Sequence, residues 1–202
     1  MTKTGLARSA EMTGRFDEKA PYRALTRALR GALKPAHPDA AVQAAARLAQ
    51  AGLGSFETAA VYHPRGSEMD PFPLAAALAR LGARLALPVV TALGGPLVFR
   101  LKGEGPLPPD ALGIPSPGED AEAVRPDLVV TPLLAFDRHG GRLGQGGGYY
   151  DRTLAALRAS GPVFVLGLAY AGQQLDRVPM NAHDQRLDGV LTERGYLAAH
   201  KE

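Results

Sequence analysis

The residues with the clearest chemical potential form one glycine-rich run in the second half of the chain. The run is Arg142-Leu143-Gly144-Gln145-Gly146-Gly147-Gly148-Tyr149-Tyr150-Asp151-Arg152. Because glycine lacks a Cβ, such a loop lets backbone N–H groups approach a ligand closely. The residues that follow, to Leu157, have the apolar spacing of a helix. A glycine loop that leads into a helix N-terminus predicts a binding site for a phosphate group.

The same glycines are also compatible with a plain surface turn, but two features favour a ligand site. A buried strand begins at Asp127 and breaks at Pro132, so strand, loop, glycines and helix follow in the order by which α/β sheets bind ligands. The run also carries Arg142, Asp151 and Arg152, which suit a metal-bound phosphate. It lacks the Gly-Lys-Ser/Thr ending of a P-loop, and it does not follow a first strand as the dinucleotide fingerprint does.

A second group of charged residues lies on the first predicted helix, which spans residues 19–33. Its apolar residues share one face: Tyr22, Leu25, Leu29 and Leu33. Its arginines share another: Arg23, Arg27 and Arg30. Taken alone, this basic face is most simply a solvated one. However, Lys19 and Arg23 are four residues apart, so both side chains can reach the same spot.

Three further candidates follow predicted strands. His63 and Glu68 come after a short apolar strand, where α/β units meet their ligands. The simpler interpretation is a loop histidine and a charge at a helix N-terminus. Asp184 lies in a loop after a buried strand. His183 and Asp184 form a poor metal pair because adjacent side chains rarely point at one ion, so Asp184 alone is the candidate for a hard cation such as Mg²⁺.

Helices and strands alternate along the rest of the chain. The predicted strands span residues 58–62, 84–89, 96–101, 127–131, 162–169 and 189–192. The second helix has Asp39 as its N-cap and is expected to bury Val42, Ala45, Ala46, Leu48 and Ala49. The pattern predicts an α/β fold with a mainly parallel sheet flanked by helices and an N-terminal helical hairpin. Residues 102–126 form either a functional loop or a mobile flap.

Composition limits the classes of protein. The 202 residues are 46% hydrophobic and include no cysteine, which excludes disulfide frameworks, thiolate metal sites and cysteine nucleophiles. We expect one α/β domain over residues 19–202, preceded by a mobile arm over residues 1–18 that lacks the apolar core of a signal peptide. No run is long enough to span a bilayer, so we expect a soluble, cytoplasmic protein.

The formal net charge of +3 suits an anionic small molecule as well as nucleic acid. The basic residues are spread along the chain and lack the aromatic interleaving of a single-strand groove. We therefore expect neither a nucleic-acid nor a membrane partner.

From residue 19 to residue 193 the chain resembles the 5-formyltetrahydrofolate cyclo-ligase family, also called 5,10-methenyltetrahydrofolate synthetases. The specific element is the run from Arg142 to Arg152. Supporting pieces occur in the family's order: Lys19-Ala-Pro-Tyr-Arg23, Tyr62-His63-Pro64 with Glu68, Pro132 to Phe136, His183-Asp184, Leu187-Asp188 and Thr192-Glu193. The chain departs from the family at Tyr22, where an aliphatic residue is preferred, at Ser116, where glutamate is common, and at Gln145, a variable position.

The resemblance implies a three-layer Rossmann-like fold and an ATP-dependent ligase that forms a C–N bond. The reaction would convert 5-formyltetrahydrofolate to 5,10-methenyltetrahydrofolate with ATP and Mg²⁺, by phosphorylation of the formyl oxygen and ring closure by N10, releasing ADP and phosphate. The folate could carry a polyglutamate tail, and we expect a monomer.

The resemblance also assigns site residues. It implies ATP contacts at Lys19, Arg23, Arg142, Leu143, Gly144, Gln145, Gly146, Gly147, Gly148, Tyr149 and Tyr150. It implies folate contacts at His63, Glu68, Gln145, Gly146, Gly147, Gly148 and Tyr149. The implied Mg²⁺ ligands are Asp151 and Asp184. No covalent catalyst is required, since phosphoryl transfer needs positioning and charge neutralisation, and Arg142 is the one candidate for a direct part in catalysis.

Three alternatives stay open. The first is a related ATP-dependent enzyme that acts on another formylated or pterin-like substrate. The second is a non-catalytic homologue that binds nucleotide or folate, since fold and activity are separable. The third is a nucleic-acid or phosphosugar module that uses the basic helix and the glycine loop.

Overall fold

The computed structural model of the chain describes residues 18–200. Within that range the α-helices are α1 (Ala20–Ala36), α2 (Ala40–Arg47), α3 (Phe72–Arg80) and α4 (Tyr149–Ser160). The strands are β1 (Thr58–Ala60), β2 (Arg84–Val89), β3 (Val98–Leu101), β4 (Leu128–Thr131), β5 (Ala135–Phe136), β6 (Arg142–Leu143), β7 (Phe164–Leu168), β8 (Gly189–Thr192) and β9 (Gly195–Ala198). Short 3₁₀ helices lie at Leu48–Ala51 and Ala171–Gln173.

Seven of these strands form one sheet in the order β3-β2-β1-β4-β7-β8-β9. The five inner strands are parallel, and β3 and β9 pair antiparallel at the two edges. From β1 the chain first moves outward to β2 and later returns to place β4 on the other side of β1. This reversal makes the edge beyond the carboxyl ends of β1 and β4 the expected ligand site.

Helices cover both faces of this sheet, which confirms the predicted three-layer α/β fold. Leu128 and Val130 of β4 point into a core shared with α2 and α3. Val129, between them, points into a second core with Leu154 of α4. Because β4 is buried on both faces, it has the continuous apolar sequence of an inner parallel strand.

The buried face of helix α2 was predicted only in part, since Leu48 is buried and Ala45 packs against the core as expected. Its buried residues are Ala40 and Ala44, followed by Leu48, whereas Val42 is exposed and so are Ala46 and Ala49. Small alanines on the buried side let α2 pack close to α3 and β8. Asp39 precedes the helix but makes no capping hydrogen bond, because its backbone lacks the extended conformation from which an N-cap side chain reaches the helix.

Three short strands were not predicted. β5 and β6 form an antiparallel hairpin between β4 and the glycine run, and β9 returns along β8 after a tight turn. Strands of two residues are too short to show a period. The segment 102–126 lies partly along β3, where Leu101 and Val124 make backbone hydrogen bonds to Glu122 and Phe99.

Helix α1 turns most of its apolar face towards solvent, unlike an ordinary amphipathic helix. Tyr22, Leu25 and Leu29 are exposed, Leu25 to 71%, and only Leu33 packs against the core. The buried side chains of α1 are instead Thr26 and Arg30. The apolar face predicted from the sequence exists, but the basic face is the one that meets the rest of the protein.

Some expectations lie partly or wholly outside the described residues. The predicted mobile arm covers residues 1–18, of which residues 1–17 are not described. The single domain over residues 19–202 stays a prediction. In the described part of the chain, no helix is both long and apolar enough to cross a membrane.

Asp137 fixes the hairpin that leads into the glycine run. The side chain is buried. Its Oδ1 accepts hydrogen bonds from the backbone N–H groups of His139 at 2.8 Å and Gly141 at 2.9 Å. Its Oδ2 accepts from the N–H of Val178 at 2.8 Å. One carboxylate therefore closes the turn between β5 and β6 and ties it to the segment after β7.

We expect Asp137→Ala to lower the free energy of unfolding by roughly 4 kcal/mol, because it removes charge-assisted hydrogen bonds from three backbone donors. Asp39→Ala is the matched control, with a change within about 0.5 kcal/mol, since Asp39 is exposed and caps nothing. Chemical denaturation of both variants measures the difference. Equal losses would contradict the role given to Asp137.

Candidate active site

A cavity of about 970 Å³ opens at the carboxyl edge of the sheet. Its floor is formed by residues within three positions of the ends of three adjacent parallel strands: Tyr62 and His63 after β1, Val90 after β2, and Pro132 and Leu133 after β4. The cavity therefore lies at the reversal of strand order. Its volume is at the upper end of the range for small-molecule sites.

The structure brings every residue of the predicted site to the walls of this cavity. They are Lys19, Arg23, His63, Glu68, Arg142, Leu143, Gly144, Gln145, Gly146, Gly147, Gly148, Tyr149, Tyr150, Asp151 and Asp184. They come from α1, from the loop after β1, from the glycine run with the start of α4, and from the loop after β7. Their individual roles stay predictions.

Helix α1 reaches across the cavity mouth with charged side chains. The Lys19 ammonium forms an ion pair with Asp184, one end of the predicted metal pair. One turn later, Arg23 Nε donates a hydrogen bond to the carbonyl oxygen of Gly144 at 3.0 Å. The helix therefore contacts the loop after β7 and the glycine run at the same time.

The glycine run turns sharply before α4. Gly146 and Gly148 have φ values of 103° and 66°, a region that favours glycine. A Cβ on Gly148 would lie 2.5 Å from Arg152 Nη1. Arg27 Nη2 holds the rim of the loop through a 2.8 Å hydrogen bond to Gln145 Oε1. This geometry leaves the N-terminus of α4 facing the cavity, as a phosphate site requires.

Arg142 and Asp151 form the second charged pair of the cavity. Arg142 Nη2 lies 2.8 Å from Asp151 Oδ1, which also accepts the backbone N–H of Gln185. Arg142 is buried, its Nε has no hydrogen-bond partner among the described residues, and its guanidinium lies 5.6 Å from the centre of the Tyr150 ring. A guanidinium at the wall of the cavity suits an anionic oxygen.

The donor chemistry fits the predicted Mg²⁺. Asp151 and Asp184 place two carboxylates on one cavity, and Mg²⁺ is typically bound by one or two carboxylates together with substrate phosphates and water. Both carboxylates are held beside a cation, Arg142 and Lys19 respectively. Two negative and two positive groups therefore lie on the walls of one cavity.

A third ion pair lies at another wall of the cavity. Glu68 is buried, and its Oε2 accepts the backbone N–H of Arg65 at 2.9 Å. Its Oε1 lies 3.7 Å from Arg30 Nη1. Burial raises the pKa of Glu68 above its ordinary value, while the Arg65 N–H and the Arg30 charge oppose the rise. Burial also raises the pKa of Tyr62, whose hydroxyl donates to the carbonyl of Met69 at 2.6 Å.

Sequence reasoning left Arg30 and Tyr62 without a role in the site. The available signal for Arg30 was its position three residues after Arg27 and seven after Arg23, on the same face as the predicted ATP contacts. Tyr62 was noted as the end of a predicted strand and as part of the Tyr62-His63-Pro64 segment, without a role of its own. Its burial depends on the packing of the loop after β1, which no periodicity reports.

A comparison with known protein families shows to which family this chain belongs. The sequence profile of the 5-formyltetrahydrofolate cyclo-ligase family matches residues 15–193. The chain belongs to this cyclo-ligase family. The family identified from the glycine run is thus confirmed, and so is the prediction of an ATP-dependent ligase.

Individual cyclo-ligases support the same conclusion. The chain is 36% identical to the Mycolicibacterium smegmatis 5-formyltetrahydrofolate cyclo-ligase over 153 residues, which cover 71% of this chain and 78% of the relative. It is 36% identical to the Escherichia coli cyclo-ligase over 143 residues, covering 67% and 77%.

A solved structure has the same fold. The NMR structure of Aquifex aeolicus 5,10-methenyltetrahydrofolate synthetase superposes with a TM-score of 0.72 and 26% sequence identity. The match covers 91% of this chain and 94% of the other.

The raised pKa of Tyr62 predicts a pH dependence of stability. Above pH 10 the unfolded chain releases this phenolic proton while the folded chain retains it, so folding loses about 1.4 kcal/mol per pH unit from this group. The Tyr62→Phe variant has no phenolic proton at this position, so it does not lose stability in this way. Between pH 10 and 11, where the phenol of the unfolded chain goes from half to almost fully ionised, its free energy of unfolding should therefore fall by about 1 kcal/mol less than that of the wild type. Urea denaturation across this range measures both slopes, and equal slopes would contradict the assignment.

Proposed function

We propose that this cyclo-ligase converts 5-formyltetrahydrofolate and ATP to 5,10-methenyltetrahydrofolate, ADP and phosphate in the presence of Mg²⁺. One observation carries the proposal. In a chain of this family, the glycine run, two carboxylates and the cations of α1 line a single cavity, although they lie as far apart in sequence as Lys19 and Asp184. These are the groups that phosphoryl transfer needs.

The cavity offers different chemistry at different walls. The glycine run and the N-terminus of α4 supply N–H donors, and Lys19, Arg23 and Arg142 supply positive charge, so we assign the ATP phosphates to this part. We assign the folate to the part of the cavity formed by His63 and Glu68, which follow β1. The buried Glu68 carboxylate is an acceptor matched to the N–H donors of a pterin ring.

The reaction has to remove an amide oxygen, which is a poor leaving group. In the proposed mechanism the formyl oxygen attacks the γ-phosphorus of ATP and ADP departs, which leaves an N5-iminium phosphate. The folate N10 then adds to the activated carbon and loses its proton. Phosphate departs with the former formyl oxygen, which completes the methenyl bridge.

The protein contributes by position and charge rather than by covalent catalysis. The glycine run and the cations hold the triphosphate, while the folate end of the cavity holds N5 and N10 beside it. Asp151 and Asp184 would hold Mg²⁺, which when bound offsets the charge of the phosphate oxygens. Arg142 is anchored on Asp151 in a buried position, where an ionic hydrogen bond from its guanidinium to a phosphate oxygen would be stronger than in water.

The direct test is to mix the purified protein with 5-formyltetrahydrofolate, ATP and Mg²⁺ and to follow methenyl-folate absorbance and ADP release together. We expect a rise in both that depends on ATP. ADP release without methenyl-folate formation, at rates that respond to another formylated pterin, would point to the alternative substrate. Folded protein that produces neither would contradict the proposed function.

The metal assignment predicts the behaviour of two carboxylate variants. Asp151→Asn and Asp184→Asn should each lower kcat/KM for ATP by about 100-fold, because they weaken charge stabilisation in the transition state. Each should also raise the Mg²⁺ concentration that gives half-maximal rate.

The second readout is needed because Asp151 anchors Arg142 and Asp184 pairs with Lys19. A variant that lost only those ion pairs would keep the Mg²⁺ dependence of the wild type. Asp39→Asn is the control on an exposed carboxylate outside the cavity. Near-normal activity of Asp184→Asn at limiting Mg²⁺ would remove Asp184 from the metal site.

A further inference from the structure

Arg30 is a buried cation to which neither the family resemblance nor the proposed chemistry assigns a role. The side chain is 4% exposed, although it lies on a helix whose apolar residues face solvent. Its Nε donates to Ser67 Oγ at 3.0 Å and its Nη1 to the carbonyl of Leu133 at 3.0 Å. The same Nη1 lies 3.7 Å from Glu68 Oε1. Arg30 therefore bridges the loop after β1 and the segment after β4, on either side of the strand-order reversal.

We propose that Arg30 is a positioning residue that holds the Glu68 carboxylate in place as the acceptor for the folate ring. The inference rests on the proposed function, in which Glu68 receives N–H donors of the pterin. Arg30 itself acts through Glu68 and needs no contact with the substrate.

The Arg30 guanidinium is held in a fixed plane. Its acceptor, the Leu133 carbonyl, also receives Gln173 Nε2 at 3.0 Å, and Gln173 is itself held by the backbone N–H of Tyr170. With Ser67 on Nε, the guanidinium has two fixed anchors besides Glu68. An arginine fork can satisfy such a divergent set of acceptors, whereas a lysine ammonium cannot match the planar geometry.

The position of Glu68 explains why a buried cation is needed. Burial raises the pKa of Glu68, and Arg30 opposes the rise together with Arg65 and Lys34. Arg65 and Lys34 are exposed, so Arg30 is the buried charge in this set. The remaining groups that face the carboxylate are the phenols of Tyr62 and Tyr150. A protonated Glu68 would present a donor to a ring that also offers donors.

The first test separates folate from ATP. Arg30→Met should lower kcat/KM for 5-formyltetrahydrofolate by about tenfold or more, the order expected for a charge-assisted contact, and leave KM for ATP within about twofold of the wild type. Arg47→Met is the matched control, because Arg47 is exposed on α2 and donates only to the nearby Gln50. Equal losses for both substrates would indicate a general structural defect and overturn the proposal.

The second test is the pH profile. Without Arg30 the pKa of Glu68 rises further, so kcat/KM for the folate should begin to fall at a higher pH in Arg30→Met than in the wild type as the solution is acidified. Arg30→Lys keeps the charge and should restore the acid limb towards its wild-type position, while the folate KM stays raised because the fork is lost. An acid limb that does not move in Arg30→Met would overturn the proposal.

The third test asks whether Arg30 acts through Glu68. Glu68→Gln removes the titrating group, so Arg30→Met added to Glu68→Gln should change kcat/KM for the folate by less than about twofold. Effects that multiply would overturn the proposal. Circular dichroism checks folding, and if Arg30→Met does not fold, Arg30→Lys replaces it in the same cycle.

The wild-type protein distinguishes this inference from the function on which it rests. If the wild type does not turn over 5-formyltetrahydrofolate, the proposed function fails and the role of Arg30 fails with it. If the wild type is active and the Arg30 and Glu68 effects are independent, only the positioning role is wrong.

Discussion

The docking of α1 through its basic face is the interaction on which the site depends. Lys19, Arg23, Arg27 and Arg30 lie along one side of the helix and contact, in that order, the loop after β7, two positions of the glycine run and the loop after β1. One helix thereby fixes the relative positions of three segments that come from different strands. Its apolar residues contribute little to this docking, because only Leu33 packs against the core.

The charged contacts of α1 coincide with the proposed ligand sites, so ligand binding at those sites would be coupled to the docking of this helix. Lys19 pairs with a proposed metal ligand, and Arg30 pairs with the proposed pterin acceptor. A negatively charged ligand between these residues adds to the attraction that holds the helix. Other parts of the cavity are held by backbone hydrogen bonds: the parallel strands below it and the hairpin that Asp137 closes. The site thus combines a floor held by hydrogen bonds with one wall held by charge.

Local signals in the sequence, together with the family resemblance, suggested the site residues, and their individual roles stay predictions. The bounds of β2 and β8 agree with their predicted ranges, and the residues of the predicted site all line one cavity. The buried face of α2 was predicted only in part, because alanines on one side of the helix and Val42 on the other are equally apolar. The strands of the β5–β6 hairpin are too short to show a hydrophobic period. The burial of Arg30 depends on Glu68, which lies 38 positions later in the chain.

The orientation of α1 shows why hydrophobic period alone does not choose between two faces. Turning the helix over would bury Tyr22, Leu25 and Leu29, a gain of roughly 6 kcal/mol at about 2 kcal/mol for each side chain. It would also leave Glu68 without its cation, and an uncompensated buried charge costs about 3–5 kcal/mol. The hydrogen bonds of Arg23 and Arg27 would be lost as well, at roughly 1–2 kcal/mol each. The gain from burying the apolar face and the loss of the charged contacts are similar in size. The orientation of α1 therefore depends on which residues of the rest of the protein each face contacts. The sequence of α1 by itself does not identify those residues.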